Sequence, residues 1–306
     1  MPRVSIVIPA FNAGRFIRQT LQSVLASTWT DFEVIVIDDG SSDNTTAQAT
    51  GLDPRIRLIS RPNAGMSVSR NVGVASTDSE FIALLDADDM WHPQKLKCQL
   101  EALAQRPDHG FCFTGFNRWQ GEAQPSFFSE PRSGAIDAAM SGWVYHHLIL
   151  DNHALPSSVL LHRSAWDQLG PFRCDHQQTD DWEYLVRAST QLRFVRLTES
   201  FVLYRQVANS LSKRVASVNT HENMRSQLLA RFGMQSPDGT PVDPIQLANF
   251  QYEGHRNFAD MHCARGDLGL GLQGFARLLR DGPHRDESLT RLGKSLFRRV
   301  FPKDAP

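Results

Sequence analysis

Phe81-Ile82-Ala83-Leu84-Leu85-Asp86-Ala87-Asp88-Asp89 is an apolar run that ends abruptly in three carboxylates. The run reads as a buried strand, and side chains alternate along an extended chain. That spacing predicts Asp86 and Asp88 on one side of the sheet, with Asp89 pointing away or opening the next turn. So much negative charge at a strand tip needs a partner. A divalent cation suits hard carboxylate oxygens, and Mg²⁺ or Mn²⁺ commonly completes its shell with substrate phosphates. Equally, the acids can be solvated loop residues that cap the helix opened by Pro93. Asp-x-Asp alone does not separate the two readings.

The flanking sequence supplies context. Val4 to Ile8 reads as a strand, Phe11-Asn12-Ala13-Gly14 as a turn, and the following segment as a helix with Phe16, Ile17, Leu21, Val24 and Leu25 at apolar positions. Phe32 to Ile37 is a second strand that stops at Asp38-Asp39-Gly40-Ser41, good turn and N-cap chemistry. Ile56 to Ser60 and the helix over 64–75 repeat the unit. Strands alternating with helices predict a mostly parallel central sheet covered on both faces, an α/β/α sandwich. Ligands of such sheets sit at the carboxyl ends of the strands. Asp38-Asp39 and Asp86-Asp88 therefore share one rim, a coincidence that favours a site over two unrelated caps.

Beyond Pro93 a helix is expected to about Gln105, then a strand from Phe111 to Arg118. Residues 119–156 lose the pattern and carry Trp119, Trp143, Tyr145, His146, His147 and His153 among Gly, Ser and Pro. That composition suits a binding surface, or a surface insertion with packed aromatics. Asp180-Asp181-Trp182 opens a helix, where acids are favoured by the dipole in any case. Phe194 to Tyr204 reads as a strand. From Ala216 the character is helical, with a pair over 245–280 hinged near 266–271. The expected division is an α/β domain over 1–215 that carries the acidic rim and a helical C-terminal region over 216–306.

Lys plus Arg number 32 and Asp plus Glu 33 in 306 residues, so nothing calls for nucleic acid as a partner. Cys98, Cys112, Cys174 and Cys263 form no Cys-x-x-Cys pair and fit reduced thiols in a cytoplasmic protein, not zinc ligands or a disulfide framework. Met1-Pro2-Arg3 runs straight into a short apolar stretch unlike a signal peptide, and no run of 18 apolar residues predicts a membrane span. The basic amphipathic stretch 288–303 can lie on an anionic membrane surface or pack on its own domain.

Five motifs, in order, resemble family 2 glycosyltransferases: Val4-Ser5-Ile6-Val7-Ile8-Pro9-Ala10-Phe11-Asn12, Asp38-Asp39-Gly40-Ser41, Asn63-Ala64-Gly65 with Ser69-Arg70-Asn71, Leu85-Asp86-Ala87-Asp88-Asp89, and Asp180-Asp181-Trp182. The resemblance covers roughly residues 1–215. It implies a GT-A fold, a nucleotide-sugar donor with commonly a uracil base, a Mn²⁺ or Mg²⁺ cofactor, inversion at the anomeric carbon, and a saccharide or lipid-linked acceptor. By residue, it implies that Asp39 binds the nucleobase with help from Pro9 to Phe11. Asp86 would approach the ribose or donor sugar, Asp88 would hold the metal, and Arg70 would touch the donor. Asp181 would be the catalytic base, with Asp180 where the family more often has Glu. One departure stands out: a His commonly follows the family's Tyr-Arg pair, and Val207 occupies its place after Tyr204-Arg205. Either Arg205, Lys213 or water supplies that contact, or catalysis is weakened and the chain binds nucleotide-sugars without turning them over. Neither a nucleotidyltransferase nor a nicotinamide dehydrogenase is favoured, because Pro9-Ala10-Phe11-Asn12 is not a Gly-rich phosphate loop.

Overall fold

The computed structural model describes residues 1–121, 125–175, 179–207, 216–265 and 267–281. Eight strands form one sheet: β1 (Val4–Ala10), β2 (Phe32–Asp38), β3 (Ile56–Ser60), β4 (Phe81–Leu84), β5 (Met90–Trp91), β6 (His109–Trp119), β7 (Leu160–His162) and β8 (Arg193–Arg205), in the order β3-β2-β1-β4-β7-β6-β8-β5. The helices of the first half are α1 (Ile17–Leu25), α2 (Thr45–Ala49), α3 (Met66–Ala75), α4 (Lys95–Ala104) and α5 (Pro125–Ser129). Those of the second half are α6 (Tyr145–Leu148), α7 (Arg163–Leu169), α8 (Asp180–Ser189), α9 (Thr220–Phe232), α10 (Pro244–Arg265) and α11 (Leu268–Asp281).

Strands β3, β2, β1 and β4 run parallel, as the alternating pattern predicts. The short β7 is antiparallel to both β4 and β6, and β6 is parallel to β8. Every residue of β1 is buried, and its side chains divide by parity. Ile6 and Ile8 join Leu21, Val24, Leu96 and Leu100 on one face, while Val7 joins Leu84, Phe111, Trp182 and Leu185 on the other. Both faces are therefore covered, which is why β1 shows no hydrophobic-polar alternation. The α3 helix lies close on β1 at Gly73, where an added Cβ would stand 2.3 Å from Val7 Cγ1.

Residues 144–150 correct the surface reading of 119–156. Val144, Tyr145, Leu148 and Ile149 are 0–1% exposed and pack with Trp182 of α8 and with Met224 and Leu228 of α9. Periodicity was too short there to show a four-residue helix whose burial comes from distant partners. The α9 helix is also tied by Arg225, whose Nε and Nη2 donate to the carbonyls of Ile149 and Leu150. The expected pair over 245–280 is α10 and α11, packed through Tyr252, Ala259, Phe275 and Leu278. Among the described residues no helix is long and apolar enough to cross a membrane. The stretch 288–303 lies outside them, as does Lys213.

Candidate active site

The C-terminal ends of β1, β2 and β4 build one rim. Pro9 is buried in β1, in register with Ile37. Val7 accepts from Leu85 N on the β4 side, and Pro9, two residues on, faces the same way past the point where β4 has ended. Its missing N–H thus leaves no broken ladder bond. Asn12, with φ of 50°, turns the chain; its N–H donates to Ser41 Oγ and its Oδ1 accepts from Ser42 N, both at 2.9 Å. This ties the loop after β1 to the loop after β2 and leaves the Phe11 ring 51% exposed. Asp39 N donates to Ala10 O at 2.8 Å, so the Asp39 backbone abuts the residue before Phe11.

Asp39 is 3% exposed, and its carboxylate is already engaged. Arg61 Nη1 reaches Oδ1 at 2.7 Å, and Oδ2 accepts from Gly65 N at 2.8 Å and Ala64 N at 3.2 Å. Gly40 permits the approach: φ is 79°, and a Cβ there would meet Asn63 N at 2.9 Å. Arg61 was not singled out by sequence, because a basic residue one step after a strand carries no motif.

At β4 the strand stops at Leu84, earlier than the alternation argument assumed. Residues 86–89 form a turn, with Asp89 N donating to Asp86 O at 3.1 Å, so the placement of Asp86 and Asp88 is not set by strand parity. The two carboxylates are nevertheless close enough to interact. Burial, and after it the charge of Asp86, push the Asp88 carboxyl up to about 6. Asp89 is fully buried and sits in the turn, as expected, accepting from Ser157 Oγ and from Arg205 N.

Arg70 joins this turn to α8. Its side chain is 1% exposed, and Nη2 donates to Asp86 Oδ1 at 2.7 Å. Burial alone would lower its pKa, but the charges of Asp86, Asp181 and Asp180 hold it above the ordinary arginine value. Asp181, at the first turn of α8, accepts from Trp182 N at 2.8 Å. Burial raises its carboxyl to about 6 against the opposing pull of Arg70, with Asp180 adding to the rise. Asp180 accepts from Ser67 Oγ, one turn before Arg70 on α3. Three acids from two distant segments thus surround one buried guanidinium whose Nε and Nη1 have no acceptor among the described residues.

Arg205 stands beside the same turn. Its Nε donates to Asp88 O at 2.7 Å and its Nη2 to Gln19 Oε1 at 2.9 Å, while the ring of Trp119 lies 3.9 Å and that of Phe16 4.6 Å from Cζ. Its Nε and one Nη2 donor are thus committed to the protein. Val207, where the family's His was expected, is half-buried two residues further on.

A hard divalent cation fits the donor set of Asp86 and Asp88. Both present carboxylate oxygen, neither is fully buried, and their mutual repulsion in a poorly solvated turn is the electrostatic strain that a cation relieves. Among the described residues no group of three or more His, Cys, Asp or Glu side chains converges for a metal. Two protein carboxylates with substrate phosphate and water is an arrangement that Mg²⁺ and Mn²⁺ accept.

A sheet of this order with acidic strand ends and covering helices is the GT-A class of glycosyltransferase fold. Residues 5–153 match the model of glycosyl transferase family 2. The chain is 29% identical over 218 residues to TuaG of Bacillus subtilis, named for teichuronic acid biosynthesis, covering 69% of this chain and 82% of that one. It is 36% identical over 239 residues to the chondroitin synthase of Pasteurella multocida, covering 72% of this chain but 22% of the synthase. Among solved structures, S. aureus TarS 1-349 in complex with UDP-GlcNAc superposes with a TM-score of 0.62 at 16% identity, covering 92% of each chain. A mannosyltransferase of Pyrobaculum calidifontis in complex with GDP-Man and Mn²⁺ gives 0.59 at 18% identity over 96% of this chain and 80% of that one.

Proposed function

We propose that the chain is an inverting, divalent-cation-dependent glycosyltransferase that moves a sugar from a UDP-sugar to a hydroxyl of a saccharide or lipid-linked acceptor, in bacterial polysaccharide or glycolipid assembly at the cytoplasmic side. The observation that carries the reading is Arg70, which bonds Asp86 at the strand-end turn and faces Asp181 at the start of α8. Donor-side and base-side carboxylates therefore meet at one buried cation.

In this reading Phe11 offers an exposed ring for the nucleobase, and Asp39, with Arg61, shapes the polar edge of its pocket. Pro9 is a wall residue that sets the strand end. Arg70 orients Asp86 toward the ribose and donor sugar, and its two unpartnered nitrogens are donors for the donor's oxygens. Asp88, with Asp86 beside it, would hold the cation, which stabilises the charge gathering on the departing diphosphate. Asp181 takes the proton from the acceptor hydroxyl as that oxygen bonds to the anomeric carbon. The bond from the anomeric carbon to the phosphate oxygen breaks, and its electron pair leaves with the nucleoside diphosphate. A carboxyl near 6 is mostly ionised at neutral pH yet more basic than an ordinary aspartate, which suits this task. Asp180 steadies α3 against α8 through Ser67. The catalytic unit is taken as 1–215, with 216–306 shaping acceptor access.

Val207 in place of the family His motivates a second reading, a nucleotide-sugar-binding protein without turnover. Calorimetry with UDP, UDP-sugars and Mn²⁺, followed by assays of transfer and donor hydrolysis, decides between them. Micromolar UDP binding with product release supports the enzyme, binding without turnover supports the second reading, and no nucleotide binding overturns both.

A further inference from the structure

The backbone of the turn 86–89 is held at every polar group the structure pairs. Asp86 O accepts from Asp89 N at 3.1 Å, Ala87 O from Thr20 Oγ1 at 2.9 Å, and Asp88 O from Arg205 Nε at 2.7 Å. Asp86 N donates to Ser157 Oγ at 3.1 Å, and the same hydroxyl donates to Asp89 Oδ2 at 2.5 Å. Ser157 is the residue that grips both ends of the turn. It is fully buried, in the short 3-10 turn Pro156–Ser158 that leads into β7.

Its own position is over-determined. Trp91 Nε1 donates to Ser157 O at 2.7 Å, and Gln99 Nε2 donates to the adjoining Ser158 O at 2.9 Å and to Cys112 O of β6 at 3.1 Å. Asp89 spends its other oxygen on Arg205 N at 2.9 Å, so this carboxylate joins the end of β4, the approach to β7 and the end of β8. A carboxylate buried this way is a structural tie and not a ligand, which leaves Asp88 and the Asp86 oxygen not bonded to Arg70 as the carboxylate oxygens of the turn that can face a substrate. A hydroxyl that uses its lone pair on one end of a four-residue turn and its proton on the other sets the distance between those ends.

We propose that Ser157 is a positioning residue of the donor site: it does not touch substrate or metal, but through Asp86 N and Asp89 it fixes the geometry in which Asp86 and Asp88 present their oxygens to a divalent cation. The inference rests on the proposed function. Partners one bond removed from metal ligands typically change metal affinity or activity by about 10–100-fold when removed.

The test is Mn²⁺ titration of the full chain followed by electron paramagnetic resonance with UDP present, alongside thermal unfolding. Ser157→Ala and the near-isosteric Ser157→Cys, a poor hydrogen-bonding substitute, should each weaken Mn²⁺ binding by about 10-fold or more. Val195→Ala, which removes core packing at the far end of β8, should lower the melting temperature and leave Mn²⁺ affinity within about twofold. Mn²⁺ affinity unchanged in both Ser157 variants, while wild type binds the ion, overturns the positioning role alone. A wild-type chain that takes up no Mn²⁺ with UDP overturns the proposed metal-dependent function, and this inference with it.

Discussion

Replacing Arg70 with Met keeps an unbranched side chain and removes the cation that the site is built around. The Arg70 side chain is 1% exposed and that of Asp86 23%. Breaking a fully buried pair costs about 3–5 kcal/mol; because Asp86 can regain water, a loss of about 2–3 kcal/mol is expected. Loss of donor contact would also lower activity, so the height of the rate is not diagnostic. The pH profile is. Asp181 lies at about 6 because burial raises it while Arg70 pulls it down, and without Arg70 the burial and the Asp180 charge are opposed by the Trp182 N–H bond alone. At pH 7 roughly nine-tenths of a base with pKa 6 is ionised, against roughly one-tenth if its pKa rises by two units. The acid limb of kcat, measured from pH 5 to 9 at saturating donor, should move upward by about one unit or more in Arg70→Met. Stability carries the same sign: a carboxyl raised in the folded state costs stability above that pKa, and the cost is relieved as pH falls from it toward 3.8. Arg70→Met should therefore gain more stability than wild type on acidification across that window. An acid limb at the same pH in both proteins refutes the electrostatic link between Arg70 and Asp181.

Three further outcomes are expected. Asp181→Asn should lower kcat by about 10²–10⁴ while UDP affinity in calorimetry stays within about twofold; an equal loss in binding would remove Asp181 from the role of base. Lys95 is fully buried, bonded among the described residues only to Gln99 Oε1 at 2.7 Å with the Trp91 ring 4.0 Å from Nζ, and burial pushes it down to about 7. Its penalty is complete below pH 7 and shrinks as pH rises toward 10.5, so Lys95→Met should stabilise by about 1–3 kcal/mol at pH 6 and by less at pH 9 in denaturant unfolding. A gain that does not vary with pH would show that packing, not charge, is responsible. Gly73→Ala forces a Cβ toward Val7 Cγ1 and should cost about 1–3 kcal/mol by thermal unfolding; a neutral result would mean α3 can lift from β1 without strain.

The first half of the fold was legible because its signals are local. Val4 to Ile8, Phe32 to Ile37 and Phe81 to Leu85 are apolar runs long enough to read as strands, and the breaks after them carry the acids. The segment 144–150 was not legible, since four helical residues have no period and their burial is conferred by α8 and α9. Ser157, Ser67 and Arg61 were missed for the same reason, having no motif at their own positions.

By itself the sequence determined which carboxylates end which strands, and hence that Asp39, Asp86 and Asp88 share a rim, because in a parallel sheet strand direction assigns the rim. It also marked Asp181 at a helix start. Only the tertiary structure decided what each acid is free to do. Asp39 is occupied by Arg61 and two backbone amides, Asp89 is spent on Ser157 and Arg205, and Asp86 and Asp181 are drawn to one guanidinium. Those partners lie tens of residues away along the chain, and hydrogen bonding and charge act through distance in space, which sequence order does not record.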